Sequence, residues 1–141
     1  MSVFTKSEID YMNENTLCRM ATIGRSGEAH IVPVTYVYNA AEDAIDIGGI
    51  DFANTKKWRD VQHNHNLTIL VDDASPAGAH AIEVRGHAEL HRKGGSRINP
   101  RIQGFVEEFV RLRPRYVVSW GIEADTGMTP DGFKVAARST A

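Results

Sequence analysis

A run of polar and basic residues in the first half of the chain has the chemistry of an anion site. Thr55, Lys56 and Lys57 follow a short apolar stretch and a turn with two glycines, and they begin a helical pattern. The first N–H groups of a helix have no partner within it, and the helix dipole adds partial positive charge there. Lysines beside such a helix start favour a phosphate. Alternatively, these lysines and Arg59 are solvated charges on a surface helix.

The other residue types that carry chemistry form no recognisable catalytic set. His63 and His65 are two residues apart, but no carboxylate or cysteine completes a metal-ligand set at the usual spacing. Cys18, the only cysteine, lies in an apolar stretch typical of a buried thiol. Neither a nucleophile elbow nor a P-loop nor a dinucleotide fingerprint is present. A phosphate site without a catalytic set favours a protein whose reactive atom belongs to a bound cofactor.

The composition is that of one soluble domain spanning residues 1–141. Hydrophobic residues make up 42% of the chain and charged residues 24%, which suits a single well-buried core. The net charge of -2 argues against a general nucleic-acid binder. The apolar runs fall short of the roughly 20 residues of a membrane helix. One cysteine and a polar start without signal-peptide features predict a cytoplasmic protein that binds neither nucleic acid nor membrane.

Strands are predicted to be the main elements that position the anion site. Thr5 and Glu8 fit a capping box for an N-terminal helix within 1–15, and the helix of the anion site is expected at 54–64. Residues 124–141 are predicted to form a tail that is partly mobile or lies over a partner chain. The pattern favours a mainly β protein, a compact barrel with few helices. Six strands are predicted, at 17–23, 29–38, 44–50, 67–72, 80–90 and 109–122.

Individual strands carry more specific predictions. Pro33 cannot donate to a ladder, so it marks a bulge or an edge position that can leave neighbouring backbone groups free for a ligand. The strand at 67–72 has little polar content and is predicted to be buried on both faces. The strand at 80–90 alternates cleanly and places Arg85 on its polar face. Pro100 is a plausible helix start, although Gly104 weakens a helix there.

Four segments of the chain, at 27–38, 46–61, 82–89 and 113–122, carry a resemblance to a known family. In this order they resemble the pyridoxamine 5′-phosphate oxidase-like split-barrel family, most of all its small members that use the deazaflavin coenzyme F420. The resemblance implies a six-stranded split β-barrel that forms a homodimer with two flavin or deazaflavin sites at the interface. It also implies an oxidoreductase that acts on a small molecule, with F420, or alternatively FMN, as cofactor.

The same resemblance implies a cofactor site. The phosphate is held by the segment that begins the helix after the third strand, chiefly by Lys57. The cofactor ring lies along the second and third strands, and the partner chain closes the site. The residues implied by the resemblance are Val32, Pro33, Val34, Thr35, Gly49, Ile50, Asp51, Asn54, Thr55, Lys56, Lys57, Arg85 and Trp120.

Two departures from the family pattern affect these expectations. Asp60 stands where family members commonly have asparagine, so its carboxylate must point away from the anion site. The extended C-terminal segment by which pyridoxamine phosphate oxidases recognise their substrate is not present in the sequence. Oxidation of pyridoxamine phosphate is therefore not expected.

Three functions remain as alternatives. The first is a reductase in which F420 delivers hydride to an enone, quinone or tetrapyrrole, with Thr35, Tyr36 or water supplying a proton. The second is an FMN-binding flavoprotein of the same fold. The third is a non-catalytic carrier of a flavin, F420 or haem-type ligand. Basic groups at Arg25, Lys56, Arg59 or the 92–93 loop would favour F420, whose polyglutamate tail is acidic.

Overall fold

Six antiparallel strands form a barrel, as predicted. The computed structural model describes residues 1–140. Its barrel strands are β1 (Leu17–Ile23), β2 (Ala29–Asn39), β3 (Ala44–Gly48), β4 (Asn66–Ser75), β5 (Gly78–His91) and β6 (Phe109–Trp120). They form two meanders, β1 to β3 and β4 to β6, which β1–β4 and β3–β6 pairing joins into a closed sheet. The β5–β6 register shifts once, between Arg85 and Gly86, where β6 passes Pro114.

The inward-facing side chains of the strands fill the barrel. Met20, Ile47, Ile82 and Leu112 have no exposed surface, and each such burial contributes about 1.5–3 kcal/mol. The two faces of β4 differ, because its inward residues are buried whereas Leu70 on the other face is only partly covered. The prediction that this strand is buried on both faces was therefore wrong for a single chain.

Two helices flank the barrel. α1 (Lys6–Glu14) begins with the predicted capping box, in which Thr5 and Glu8 each accept from the other's backbone N–H. α2 (Lys56–His63) lies between β3 and β4, as predicted. It begins at Lys56 rather than at residue 54, because residues 52–54 form a 3₁₀ turn after the end of β3 at Gly48. No helix within residues 1–140 is long and apolar enough to cross a membrane.

The connection between β5 and β6 passes over the C-terminal end of β3. It consists of turns and a short 3₁₀ helix, and no α-helix follows Pro100. Arg97 Nη2 donates to the buried Asp46 carboxylate at 2.7 Å, and the Val106 N–H donates to the Gly49 carbonyl oxygen at 3.4 Å. The side chain of Ile98 fills the space beside Gly48, where an added Cβ would lie 2.9 Å from Ile98 Cδ1. Both ends of residues 97–106 are thus fixed to the barrel.

The C-terminal tail lies on its own chain. β7 (Gly127–Thr129) and β8 (Gly132–Lys134) form a small hairpin, and β9 (Ala136–Ser139) pairs with the second half of β6. The guanidinium of Arg138 binds the Glu8 carboxylate of α1 and the Val3 carbonyl oxygen. The tail had been predicted to be partly mobile or to lie over a partner. Residues 136–139 instead extend the sheet of the same barrel.

Candidate cofactor site

The start of α2 carries a half-buried ammonium group without an acidic partner. Lys57 Nζ lies 5.4 Å from the centre of the Phe52 ring, and no carboxylate in residues 1–140 forms an ion pair with it. Burial lowers the pKa of Lys57 below its ordinary value, because the charged form loses contact with water. An entering anion would replace those lost water contacts. Lys57 is thus the basic group best suited to a phosphate.

Lys56 is held differently, by an ion pair. Its Nζ lies 2.9 and 3.0 Å from the two carboxylate oxygens of Asp60, and Thr22 Oγ1 donates to the same carboxylate at 2.8 Å. Burial alone would raise the pKa of Asp60, but the hydrogen bonds from Lys56 and Thr22 outweigh it, and the pKa is lowered. The Asp60 carboxylate is directed towards β1 and Lys56. The charge that departs from the family pattern is therefore neutralised without engaging Lys57.

Side chains before α2 fix the turn that presents Lys57. The Thr55 hydroxyl accepts from the Trp58 N–H at 3.4 Å and donates to the Phe52 carbonyl oxygen at 2.7 Å. Asn54 Nδ2 donates to the Asp51 carboxylate at 2.7 Å, and Asp51 adopts a left-handed backbone with φ of 50°. The hydroxyl proton of Thr55 is thus engaged within the chain. Thr55 positions the helix start, where the N–H groups of the first turn face outwards.

A basic groove adjoins the helix start. Its volume is about 700 Å³. Arg59 donates to the Asn54 carbonyl oxygen at 3.1 Å, whereas the Arg25 side chain has no partner in residues 1–140. His63 also lines the groove, but no cluster of metal-ligating side chains occurs in the described part of the chain. The groove is lined by Arg25, Ser26, Lys56, Arg59, Asp60, Gln62 and His63.

The predicted ring-binding part of β2 lies at a local sheet edge. β3 pairs with β2 only from Thr35 to Asn39, so residues 29–34 have no strand on that side within the described chain. Pro33 pairs in register with Arg19, and it therefore occupies an edge position rather than a bulge. Val32 and Val34 contribute to the core, whereas Pro33 is exposed on the opposite face. Val32 and Val34 therefore offer backbone groups to a ring, not side chains.

Residues after β3 form the other predicted ring wall. Gly49 accepts a hydrogen bond from the segment that precedes β6, and Ile50 pairs with Phe105 in an isolated bridge. The Ile50 side chain is 59% exposed and lies next to this wall. Because β3 pairs Gly48 with Thr35, the walls on β2 and after β3 are neighbours. The fold therefore brings the predicted ring-binding residues together near one end of the barrel.

The two candidate proton donors differ in their surroundings. The Tyr36 hydroxyl is buried and donates to the Met12 carbonyl oxygen at 2.6 Å. Burial also raises the pKa of Tyr36. Tyr36 is therefore a core residue that joins β2 to α1, and its proton is not available to a ligand in this arrangement. Thr35 is partly exposed and lines a cleft of about 280 Å³, so it remains a candidate.

Arg85 and Trp120 lie apart from the anion site of the same chain. Arg85 pairs with Glu83 at 3.1 Å and lies over the Tyr116 ring, whereas Trp120 contacts Phe133. Neither contacts α2 among the described interactions. Glu83 and Trp120 line an apolar cavity of about 370 Å³ on the outside of the barrel. A single chain therefore does not unite these two residues with Lys57.

Sequence reasoning missed Phe52 and Arg101. Phe52 is completely buried and places its ring beneath Lys57 Nζ. An aromatic residue five positions before the lysine is only a weak signal, since cation–π pairs occur roughly once per 70–80 residues. Arg101 lines the cleft beside Thr35, but it belongs to a segment with neither helical nor strand periodicity. No pattern in the sequence indicated its position.

A closed six-stranded barrel with a helix between its third and fourth strands is the architecture of the split-barrel class of flavin-binding proteins. A family model described as pyridoxamine 5′-phosphate oxidase matches residues 5–117. The chain belongs to this family of split-barrel oxidoreductases, as the resemblance implied. A relative from Streptomyces rimosus subsp. rimosus, named 5a,11a-dehydrotetracycline/5a,11a-dehydrooxytetracycline reductase, is 34% identical over an alignment of 125 residues that covers 86% of this chain and 86% of its own.

Solved structures share the fold at lower identity. A conserved hypothetical protein of Mycobacterium tuberculosis superposes with a TM-score of 0.68 at 19% identity, covering 84% of this chain and 86% of its own. The FAD binding protein of Mycobacterium smegmatis superposes with a TM-score of 0.61 at 19% identity, covering 84% of this chain and 96% of its own. At these identities the likeness concerns the barrel itself.

Proposed function

We propose that this protein is a cytoplasmic, F420-dependent reductase that transfers a hydride to a small electron-poor substrate of the enone, quinone or tetrapyrrole type. The observation that carries the proposal is the half-buried Lys57 ammonium, which has no acidic partner and lies next to a basic groove. F420 has a phosphate followed by a chain of carboxylates. The Lys57 ammonium suits the phosphate, and the adjoining basic groove suits the carboxylates. The name of the S. rimosus relative supports the reductase chemistry.

Each part of the site has a role in this proposal. The Lys57 ammonium and the N–H groups of the first turn of α2 bind the phosphate. Arg25 and Arg59 attract the acidic tail along the groove, whereas compact FMN would leave these groups unused. The backbone edge from Val32 to Val34 and the turn at 49–51 orient the ring. When bound, reduced F420 supplies the hydride.

The substrate-side proton has two sources in this arrangement. Thr35 lines the cleft beside the ring wall, and the cleft is open to solvent. Because the Tyr36 hydroxyl donates a hydrogen bond to the Met12 carbonyl oxygen, its role is to hold β2 against α1. The chain thus contributes binding, orientation and partial exclusion of water, and the redox chemistry belongs to the cofactor.

An apolar outer face supports the homodimer in the proposal. Leu17 and Ile31 are 60% and 61% exposed on neighbouring strands. The strand register places Ala21 and Pro33 on the same outer side, together with the Arg19–Asp72 ion pair. Leu70 and Trp120 border the cavity on this face. Large exposed apolar patches commonly mark interfaces. A second copy here would bring its Arg85 and Trp120 near the first copy's ring site, as the family implies.

Replacing Ile31 by aspartate is expected to convert the dimer to a monomer at micromolar concentration, because an unpaired carboxylate buried at an interface costs several kcal/mol. Light scattering measures the mass, and a fluorescence titration measures the accompanying loss of cofactor binding. The matched control is Ile31→Val, which keeps the apolar surface and should remain dimeric. A wild-type protein that is monomeric under these conditions would refute the interface.

Turnover tests the reductase itself. Protein mixed with reduced F420 and 5a,11a-dehydrooxytetracycline, menadione or a simple enone should restore the absorbance of oxidised F420 while the acceptor is consumed in equal amount. Reduced FMN in place of F420 tests the flavin alternative with the same acceptors. Tight binding of F420 with no turnover of any acceptor would instead indicate a carrier.

A further inference from the structure

We propose that the cleft between β2 and residues 98–101 binds the substrate, and that Arg101 holds an anionic oxygen of that substrate. The substrate class is a conjugated ketone or quinone that carries an ionised enol. This inference rests on the proposed function, because it places the hydride acceptor beside the proposed ring wall.

The first support is the position of the cleft. The cleft has a volume of about 280 Å³ and is lined by Thr16, Thr35, Tyr36, Ile98, Asn99, Pro100 and Arg101. Thr35 pairs with Gly48 at the end of β3, so the cleft opens at the ring-binding wall. A planar acceptor in this space would lie against residues of both walls. The cleft lacks the space for a whole cofactor and suits a smaller molecule or one ring of a larger one.

The second support is that Arg101 lies on a segment whose ends are fixed. Arg97 binds the buried Asp46, and Ile98 is packed against Gly48. Within the turn, the Arg101 N–H donates to Asn99 Oδ1 at 3.3 Å and the Ile102 N–H donates to the Asn99 carbonyl oxygen at 3.2 Å. The backbone of Arg101 is therefore held in place relative to Thr35. Ligand binding then has to order only the Arg101 side chain and not the segment that carries it.

The third support is that the Arg101 guanidinium is free. Other arginines of residues 1–140 bind carboxylates, carbonyl or amide oxygens, or lie over aromatic rings, whereas the side chains of Arg25 and Arg101 have no such partner. Arg25 lines the basic groove and Arg101 lines the cleft. The two unpaired guanidinium groups thus lie at two separate surfaces, the groove beside α2 and the cleft beside Thr35. A planar guanidinium suits a delocalised oxyanion, with which it can form two hydrogen bonds.

The Arg101 guanidinium stabilises the charge that develops during hydride transfer. The hydride forms a bond to the electron-poor carbon, the conjugated π bond breaks, and its electron pair moves to the ketone oxygen. The substrate is reduced by two electrons, F420 is oxidised, and a proton from water or Thr35 completes the product. Negative charge develops on oxygen during this step, and the Arg101 guanidinium stabilises it. The same guanidinium binds the ionised enol of the acceptor before the reaction.

Two naphthoquinones of similar size test the proposal. Lawsone carries an ionised enol at neutral pH, whereas menadione has a methyl group in the same place and no charge. Arg101→Gln is expected to weaken lawsone binding and to raise its KM about 10- to 100-fold, the usual range for a lost charge-assisted hydrogen bond. The KM for menadione should change by less than about twofold, since it forms no such bond. Arg101→Lys should restore part of the lawsone affinity.

Calorimetry of lawsone with the full chain, with and without oxidised F420, measures binding independently of turnover. Lys6→Gln removes a charge from exposed α1 and should match the wild type with both quinones. Equal losses for lawsone and menadione, unchanged lawsone binding in Arg101→Gln, or no lawsone binding to the wild type would overturn the inference. Selective loss of lawsone binding in a protein that does not reduce any acceptor would keep the site and refute the reductase.

Discussion

Replacing Lys57 by alanine is expected to weaken F420 binding by about 1.5–3 kcal/mol, the usual contribution of a charge-assisted hydrogen bond. The fold should tolerate the change, because Lys57 has no carboxylate partner and its burial already disfavours the charged form. Fluorescence titration with F420 measures the dissociation constant, and a thermal melt checks that the variant is folded. An unchanged dissociation constant would remove Lys57 from the phosphate site.

Lys56→Ala/Asp60→Asn is the matched control, because it removes a lysine one position away together with its carboxylate partner and leaves no unpaired charge. Since the pair carries no net charge, its loss should change the binding of F420 without a glutamate tail by less than about threefold, as for other screened surface charges. The tailed cofactor should respond more strongly, since Lys56 lines the groove. Equal effects of both substitutions on the tailless cofactor would contradict the distinction between the two lysines.

The pH dependence of binding provides a further check on Lys57. Its pKa in the free protein lies below the ordinary lysine value, and a bound phosphate should raise that pKa because opposite charges stabilise each other. Binding should therefore weaken as the pH rises through the lowered pKa of the free protein. In Lys57→Ala this alkaline loss of binding should disappear.

Replacing Arg138 by alanine is expected to lower the free energy of unfolding by about 3 kcal/mol, because it leaves a buried carboxylate without its counterion. Glu8 has no exposed surface and accepts hydrogen bonds from Arg138, Ser119 and the Thr5 N–H. Chemical denaturation measures the loss. A loss below about 0.5 kcal/mol, typical of a surface substitution, would mean that the tail contributes little to the fold.

The stability difference should also depend on pH. In the wild type, burial alone would raise the pKa of Glu8, but the hydrogen bonds from Arg138, Ser119 and Thr5 outweigh it and lower the pKa. The stabilising contribution of Glu8 is thus present above its unfolded pKa and is lost as the pH falls through its folded pKa. Without Arg138, burial should raise that pKa, so the gap between variant and wild type narrows in acid. Glu8→Gln/Arg138→Ala removes the uncompensated charge and should recover part of the stability.

Local patterns were sufficient to predict much of the barrel. The capping box at Thr5 and Glu8 and the alternation in β5 depend on neighbouring residues, and both are present in the structure. The predicted turn between β4 and β5 is longer than the observed one. Asp73 and Ala74 have weak strand propensity, yet they pair with His80 and Ala79 and extend both strands. Cross-strand pairing decided the structure of these residues.

Local contacts separate the two lysines of α2: Lys56 pairs with Asp60 four positions on, whereas Lys57, which the resemblance had indicated, lies over the Phe52 ring. Long-range contacts determine the parts that sequence reasoning could not predict. Arg97 fixes the segment before β6 through Asp46, which lies 51 positions earlier. The binding of β9 to α1 likewise joins the two ends of the chain. Closure of the barrel brings these distant residues together, so the composition and periodicity of either segment alone do not indicate the contact.

The most direct test of the central claim is a titration of one preparation of the wild-type protein with F420 and with FMN, followed by fluorescence quenching. The phosphate site at Lys57 and the basic groove beside it predict micromolar or tighter binding of F420 and much weaker binding of FMN. Removal of the glutamate tail should reduce the difference between the two cofactors. Tight binding of FMN with weak binding of F420, or binding of neither cofactor, would contradict the assignment of this chain as an F420-dependent reductase.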